Sequence, residues 1–192
     1  MMKKNLIILA APSGTGKTSI CKELLKRNKD WQFSISATTR EPRPGEVDGV
    51  DYNFLDSSKF EHYIKFGDFL EWEFVHGNKY GTLINPLEET IQKNKVMILD
   101  VDVKGGETIM EEFPEESLSI FIEPPGDDIP EQIDILTERL TKRGDISTFI
   151  NQRLKRFQLE IEYKEKFNYS FINKDMLKTT DAIEKLIKEN IK

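Results

Sequence analysis

Residues 11–18 have the sequence APSGTGKT, in which two glycines precede a lysine and a threonine. Gly14 and Gly16 allow the backbone to curl so that its N–H groups point inward, an arrangement that binds phosphate oxygens. A helix start, the ammonium of Lys17 and the hydroxyl of Thr18 would complete a site for a nucleoside triphosphate and magnesium. Ala11 replaces the first glycine of this pattern, which is acceptable where that position needs no positive φ. The predicted triphosphate contacts in this loop are Ser13, Gly14, Thr15, Gly16, Lys17, Thr18 and Ser19.

A second group of cations lies at Arg40 and Arg43, and the prolines on either side of Arg43 stiffen this stretch of backbone. The planar guanidinium group suits a terminal phosphate better than an ammonium does, because it can donate two parallel hydrogen bonds. Tyr52 and Tyr80 could each add a hydroxyl donor. This segment therefore predicts a second phosphate site, separate from the glycine-rich loop.

Asp100 ends an apolar run, where an acid is uncommon unless a ligand or metal needs it. Ligands of open α/β sheets bind beyond the carboxyl ends of the strands, so the position favours a functional role. Two roles remain open from the sequence. Asp100 either holds the hydration shell of magnesium or contacts the second substrate.

Four arginines lie late in the chain, two of them, Arg139 and Arg143, in a polar segment. Arg153 and Arg156 lie on a predicted helix whose apolar stripe is formed by residues 150, 154, 157 and 161. Arg153 lies beside the stripe and is predicted to reach a cleft while the stripe packs. Arg156 is predicted to face solvent.

Apolar runs alternate with helical patterns along most of the chain, which predicts an α/β fold with a parallel sheet. The runs are continuous rather than alternating, as expected for strands that are buried on both faces. The predicted strands are 5–10, 96–101, 118–122 and 169–172, and the predicted helices are 18–26, 86–93, 105–112 and 176–191.

Two segments interrupt this alternation. Residues 36–82 contain short strand-like pieces at 52–55, 69–74 and 79–81, with a hairpin signal at Gly77-Asn78, and are predicted to form a small, mostly-β insertion. Residues 125–148 are polar and are predicted to form a mobile lid. The remaining segments, 1–35, 83–124 and 149–192, are predicted to form a phosphate-loop core flanked by helices.

Composition restricts the class of partner. The formal net charge of −6 over 192 residues argues against binding to a nucleic-acid duplex, which requires a basic face. No stretch is long enough to span a membrane, and the single cysteine, Cys21, suits a reducing compartment, so we predict a cytoplasmic protein. His62 and His76 are far apart and lack a second cysteine or an acidic cluster, so neither predicts a zinc site.

The segment from Thr38 to Phe54 resembles the guanylate kinase family, a group of phosphate-loop nucleoside monophosphate kinases. The resemblance extends through Glu71-Trp72, the GNKYGT run at 77–82, Asp100-Val101-Asp102 and the lid arginines, and covers essentially the whole chain. It implies a magnesium-dependent enzyme with ATP and GMP as substrates, and leaves open the oligomeric state and the acceptance of dGMP. Ala11, Lys104 and the enlarged segment 126–133 depart from the usual family pattern.

The resemblance also implies roles for individual residues. It places the GMP phosphate at the two arginines and two tyrosines of the second phosphate site, the guanine at Ser36, Glu71 and Thr82, and ATP at Arg139. Asn173 matches a position near the adenine, and a turn residue before a helix is an equally good interpretation. The predicted GMP site comprises Ser36, Arg40, Arg43, Glu46, Tyr52, Glu71, Tyr80, Gly81, Thr82, Asp100 and Asp102.

Guanine recognition by Glu71 also has a physical basis. Guanine presents N1–H and its 2-amino group as adjacent donors, and a single carboxylate can accept from both. Adenine has an acceptor at N1, so the same carboxylate would face a lone pair, and a site left with unpaired polar groups can discriminate by roughly 10⁴-fold. The alternative is that Glu71 is a surface acid beside Trp72.

The predicted reaction is in-line transfer of the γ-phosphoryl group of ATP to GMP, with Lys17, Arg43, Arg143 and Arg153 as catalytic cations and Thr18 as the metal ligand. Two alternatives remain from the sequence. One is a non-catalytic guanylate-kinase-like module that binds a phosphorylated protein, although retention of Gly16-Lys17-Thr18 argues against it. The other is a related kinase for another phosphorylated acceptor.

Overall fold

A computed structural model describes residues 4–75, 77–144 and 146–191, so His76 lies outside the described residues. The strands are β1 Leu6–Ala10, β2 Gln32–Phe33, β3 Ala37–Thr38, β4 Asn53–Phe54, β5 Phe69–Val75, β6 Asn78–Leu83, β7 Met97–Val101, β8 Ser117–Glu123 and β9 Tyr169–Ile172. The α-helices are α1 Lys17–Arg27, α2 Ser57–Phe66, α3 Ile84–Gln92, α4 Val103–Glu112, α5 Ile129–Lys142, α6 Ser147–Ile161 and α7 Met176–Asn190, and a 3₁₀ turn covers Glu162–Lys166.

The central sheet is parallel, with the strand order β2-β7-β1-β8-β9. Side chains of β1 alternate between its two faces, so that Ile7 and Leu9 join one apolar cluster and Leu6 and Ile8 join the other. Helices α1 and α7 cover the first face, and α3 and α4 cover the second. This arrangement confirms the predicted parallel α/β fold and explains the continuous apolar runs.

A second sheet has the order β4-β3-β6-β5 and lies within the segment predicted as an insertion, apart from the last residue of β6. Strands β5 and β6 pair antiparallel, which confirms the hairpin predicted at Gly77-Asn78. The sequence interpretation missed α2 in this segment. Asp56 caps that helix by accepting from the backbone N–H of Lys59, and the Phe60 ring stacks on Phe69 at 4.4 Å between centroids.

The predicted lid is largely helical. Asp128 caps α5, and Leu136 and Leu140 of this helix are buried. A Cβ placed on Gly14 would lie 3.2 Å from Leu140 Cγ, so α5 packs directly on the phosphate loop. Within the described ranges, no helix combines the length and apolar character needed to cross a bilayer.

An ion-pair network ties α1 to α7. Arg27 Nη1 lies 2.6 Å from Asp181 Oδ1 and 3.1 Å from Glu184 Oε2, and Asn28 Nδ2 donates to Glu184 Oε1 at 3.0 Å. The hydrogen bond from Lys188, supported by those from Asn28 and Arg27, lowers the pKa of Glu184 to about 2. The ionised carboxylate therefore stabilises the packing of these two helices.

We expect Glu184→Gln to lower Tm at neutral pH by about 2–4 °C, the shift that ~1 kcal/mol produces in a chain of this size. Because the folded-state pKa lies below the usual 4.5, the stabilisation is present above pH 4.5 and is lost as the pH falls towards 2. The Tm difference between wild type and variant should therefore disappear over that range. Thermal unfolding followed by circular dichroism tests this, with Glu189→Gln on the same helix as control. Equal differences at all pH values would contradict the assignment.

Candidate active site

The glycine-rich loop joins β1 to α1 with the geometry that the sequence predicts. Gly14 and Gly16 have φ values of 89° and 100°, and α1 begins directly afterwards at Lys17. Ala11 is buried and is not among the described residues with positive φ, so alanine is compatible with this position. The Thr15 N–H donates to the Pro12 carbonyl at 3.3 Å, and the N-terminal end of α1, which follows directly, is the part of this segment suited to an anion.

Asp100 at the end of β7 contacts the two chemically active side chains of the loop. Lys17 Nζ lies 2.9 Å from Asp100 Oδ1, and the Thr18 hydroxyl donates to Asp100 Oδ2 at 2.8 Å. Lys17 also donates to the carbonyl of Val101. Burial opposes the charge on Lys17, but the Asp100 carboxylate outweighs it and keeps the pKa of Lys17 above its usual value. Lys17 is therefore a fully charged cation at neutral pH.

Glu46 orients the second phosphate site. Its carboxylate accepts from Arg40 Nη2 at 2.9 Å and from the backbone N–H of Arg43 at 2.7 Å. The guanidinium of Arg40 also lies over the Tyr52 ring, 5.3 Å from its centroid. Tyr52 and Tyr80 meet edge-on at 6.1 Å between centroids. The structure thus brings Arg40 together with both tyrosines, and Glu46 holds the Arg40 guanidinium and the backbone of the exposed Arg43.

Tyr52 lies within electrostatic range of both phosphate sites. Burial raises the pKa of its hydroxyl, and the Asp100 charge raises it further, whereas Arg40 and Lys17 oppose the increase. The hydroxyl is consequently a hydrogen-bond donor throughout the physiological range. Its position connects the arginine site with the loop that contains Lys17.

The predicted base pocket is built on the β5–β6 hairpin. Glu71 and Thr82 are register partners on these strands, and the Thr82 hydroxyl donates to Glu71 Oε1 at 2.5 Å. Burial raises the pKa of Glu71, and the nearby Asp102 adds to the increase. Glu71 is half-buried and accepts from Thr82, so it is not a freely solvated acid beside Trp72. Ser36, half-buried, precedes β3 on the other side of β6.

Asp102 closes the other side of this pocket. It caps α4 by accepting from the backbone N–H of Gly105 at 2.8 Å. A Cβ placed on Gly105 would lie 3.2 Å from Glu71 Cδ and 3.3 Å from Asp102 Oδ1, so the two carboxyl groups approach the same point. Asp100 and Asp102 therefore point to different parts of the site, one to the phosphate loop and the other to the base pocket.

Three residues from later in the chain contact the phosphate loop. Arg139 donates to the carbonyls of Thr15 at 3.3 Å and Asn173 at 3.1 Å, and Asn173 Nδ2 donates to the Thr15 carbonyl at 2.7 Å. Arg153 donates to the Ser13 hydroxyl. Arg143 directly follows α5 and is exposed. Asn173 is thus more than a turn residue, because its amide supports the loop from behind.

The prediction for Arg156 is wrong. Instead of facing solvent alone, its guanidinium lies 3.5 Å from Asp102 Oδ2 and 3.6 Å from Glu73 Oε2. Sequence reasoning also missed Glu73. The available signal was its spacing of two from Glu71 on a strand, which places both side chains on the same face.

The comparisons with known proteins agree with this geometry. A family model described as guanylate kinase matches residues 3–190. The chain belongs to the guanylate kinase family. Among curated proteins, the guanylate kinase of Chlorobium chlorochromatii is 42% identical over 183 residues, covering 95% of this chain and 93% of the relative. That of Clostridium tetani is 41% identical over 187 residues, covering 97% of this chain and 85% of the relative.

A solved structure supports the same assignment. The crystal structure of guanylate kinase from Anaplasma phagocytophilum matches with a TM-score of 0.77 and 30% identity, covering 100% of this chain and 89% of the other. The predicted membership of the guanylate kinase family and the predicted fold class are therefore confirmed. The roles of the individual site residues remain predictions.

We expect Gly81→Ala to impair the base pocket. A Cβ at this position would lie 2.8 Å from Phe69 Cδ1 and 3.0 Å from the Glu71 carbonyl oxygen, so β5 would have to move and carry Glu71 with it. KM for GMP should rise by about tenfold, while KM for ATP should stay within about twofold. Steady-state kinetics with each substrate varied in turn tests this. Adding Phe69→Leu should restore part of the affinity, and an equal change in both KM values would contradict the explanation.

Proposed function

We propose that this chain transfers the γ-phosphoryl group of Mg·ATP to GMP through the residues described above. Membership of the guanylate kinase family identifies it as a nucleoside monophosphate kinase, an ATP:GMP phosphotransferase. One observation supports the residue assignment most strongly. Glu71 is hydrogen-bonded to the buried Thr82 beside Asp102, and Asp100 at the end of β7 pairs with Lys17. The proposed acceptor pocket and donor loop would thus meet at the end of β7.

The donor site would hold the ATP phosphates on the backbone of residues 13–19. Lys17 would bridge the phosphates as a point charge, and the first turn of α1 would add its dipole. Arg139 and Asn173 both donate to the Thr15 carbonyl, and they would contact the nucleotide on that side of the loop. The Oδ1 atom of Asn173 is buried without a hydrogen-bond partner among the described residues, so its capacity as an acceptor is unused.

The acceptor site would hold GMP at two ends. Arg40 and Arg43 would bind the phosphate together with the hydroxyl donors Tyr52 and Tyr80. Glu46 would act on the phosphate indirectly, because it fixes the Arg40 guanidinium and the backbone of Arg43. At the other end Glu71 would accept from guanine N1–H and the 2-amino group, and Ser36, Thr82 and Asp102 would complete the pocket.

The residues beside the loop fit magnesium. The ion prefers oxygen ligands and usually keeps several waters while bound through one or two protein groups and substrate phosphates. The Thr18 hydroxyl is exposed at the mouth of the loop, and Asp100 Oδ2 lies 2.8 Å from it. Thr18 would therefore be the direct ligand and Asp100 would act through water, and the bound ion would supply neutralisation of the phosphate charge.

The rate acceleration would come from positioning the two substrates and from electrostatic stabilisation of the transition state. The transferring phosphoryl group spreads negative charge over its oxygens, and Lys17, Arg43, Arg143 and Arg153 would stabilise that charge and align the two substrates. Closure of segment 125–148 and of segment 36–82 over the core would exclude water, which otherwise hydrolyses ATP. We place this chemistry in the cytoplasm, where a reduced thiol such as Cys21 is expected.

The reaction is tested by ADP release from Mg·ATP, measured in a coupled assay with GMP, AMP, CMP and UMP supplied separately. We expect strong activity with GMP alone and a fall of at least about 10³-fold for Lys17→Ala, because the loop loses its charge on the transferring group. Activity with dGMP shows whether the ribose hydroxyl matters. A folded protein that binds GMP without turnover would instead favour the phosphoprotein-binding module.

Base choice is tested by Glu71→Gln. The amide can accept only one of the two guanine hydrogen bonds and turns a donor towards the base, so kcat/KM for GMP should fall by about 10²-fold or more. In the wild type, kcat/KM for GMP should fall as the pH drops through a value above 4.5, because the raised pKa of Glu71 leaves its carboxyl group protonated there. Glu88→Gln, an exposed acid on α3, is the matched control. Unchanged GMP kinetics for Glu71→Gln would remove Glu71 from the base site.

A further inference from the structure

Three carboxyl groups from two different elements converge beside the base pocket. Glu71 and Glu73 extend from β5, and Asp102 caps α4. The neighbouring Asp102 side chain, together with burial, raises the pKa of Glu73 to about 7, because a proton on Glu73 can be shared with the Asp102 carboxylate. The Asp102 charge also raises the pKa of Glu71. Without a cation, the acids around the guanine site would repel one another.

Arg156 on α6 is the cation that faces this group. Its Nη2 atom lies 3.5 Å from Asp102 Oδ2 and 3.6 Å from Glu73 Oε2, and its Nε atom lies 3.4 Å from Glu160 Oε1 on the same helix. These separations exceed typical hydrogen-bond distances, so the attraction here is between charges. Arg156 thus connects the helix that follows the lid with both the inserted sheet and the core.

Other charged groups act on the same acids more weakly or from another side. Lys104 Nζ lies 3.9 Å from Glu73 Oε1, but its side chain is 64% exposed and its charge is therefore screened by solvent. Lys17 lowers the pKa of Asp102 from the side of the phosphate loop. Glu160 is largely buried, and burial raises its pKa, whereas the Arg156 charge opposes the increase.

We propose that Arg156 is a positioning residue for GMP binding, because it neutralises the Glu73–Asp102 pair and holds α6 against the inserted sheet. This inference rests on the proposed assignment of Glu71 and Asp102 to the guanine pocket. Arg156 keeps Asp102 beside Glu71 when Glu73 is ionised. When Glu73 carries a proton, it can donate to Asp102, and the pair then needs no cation to hold it together.

The test is the affinity for GMP, measured by calorimetry at about pH 6 and about pH 8.5, below and above the pKa of Glu73. Arg156→Gln should weaken GMP binding by about tenfold at the higher pH and by less than about threefold at the lower. Lys155→Gln removes a charge from the adjacent exposed position on α6 and should leave both affinities unchanged. Adding Glu73→Gln to Arg156→Gln should restore affinity at the higher pH, since the amide can donate to Asp102 and brings no negative charge.

Equal loss at both pH values, no loss at either, or failure of Glu73→Gln to rescue would each overturn the positioning role. If Arg156 had a merely structural role, the loss would be equal at both pH values and Glu73→Gln would not restore affinity. The same preparations are assayed for ADP release with GMP. Wild-type protein that neither binds nor phosphorylates GMP would overturn the proposed function and this inference together, whereas active wild type with unaffected variants would overturn the inference alone.

Discussion

The ion pair between Lys17 and Asp100 depends on the parallel register of β1 and β7. Leu9 lies opposite Asp100 and Ala10 opposite Val101, so both strands end at the same level. The loop that follows β1 therefore passes directly over the acid that ends β7. Because Asp100 also accepts from Thr18, a single carboxylate orients both side chains that would meet the triphosphate and its metal. Other parts of the site are arranged around this contact.

The chain carries a net charge of −6 although its substrates are anions. The structure accommodates this by pairing individual cations with acids. Arg40 is held by Glu46, Lys17 by Asp100, and Arg156 lies between Glu73 and Asp102. Each pairing limits the rotamers of a long side chain before substrate arrives, which reduces the entropy lost on binding. The same acids would repel a phosphate if their partners were removed, so cations and acids act as units.

Helices α5 and α6 share the phosphate loop as a common contact surface. Leu140 packs where Gly14 has no side chain, and Arg139 and Arg153 reach the backbone and the hydroxyl of the same loop. On the far side, a Cβ on Gly16 would lie 2.7 Å from Asn173 Nδ2, so this glycine permits a close approach as well as a turn. The loop is consequently enclosed by three later parts of the chain, and their positions are coupled to its conformation.

The sequence alone was sufficient to propose the local chemistry of this protein. The phosphate loop, the paired arginines, the Glu71 carboxylate and the alternation of strands and helices are encoded in short stretches whose residue types have few other uses. Helix α2 was within reach of the same reasoning, because Asp56 and Gly67 mark its ends, but the neighbouring strand-like pieces obscured it. The family resemblance followed from these stretches and was confirmed.

The tertiary structure decided which distant groups meet. In the sequence, Glu73 and Arg156 have the pattern of solvent-exposed charged residues on a strand and a helix. Only the packing of β5, α4 and α6 brings them to Asp102. Likewise, the support that Asn173 gives to Thr15 joins residues 158 positions apart. Such contacts depend on the relative placement of whole elements, which is set by apolar packing summed over many residues. Hydrophobic periodicity records which face of an element is buried, but not which partner covers it or at what depth.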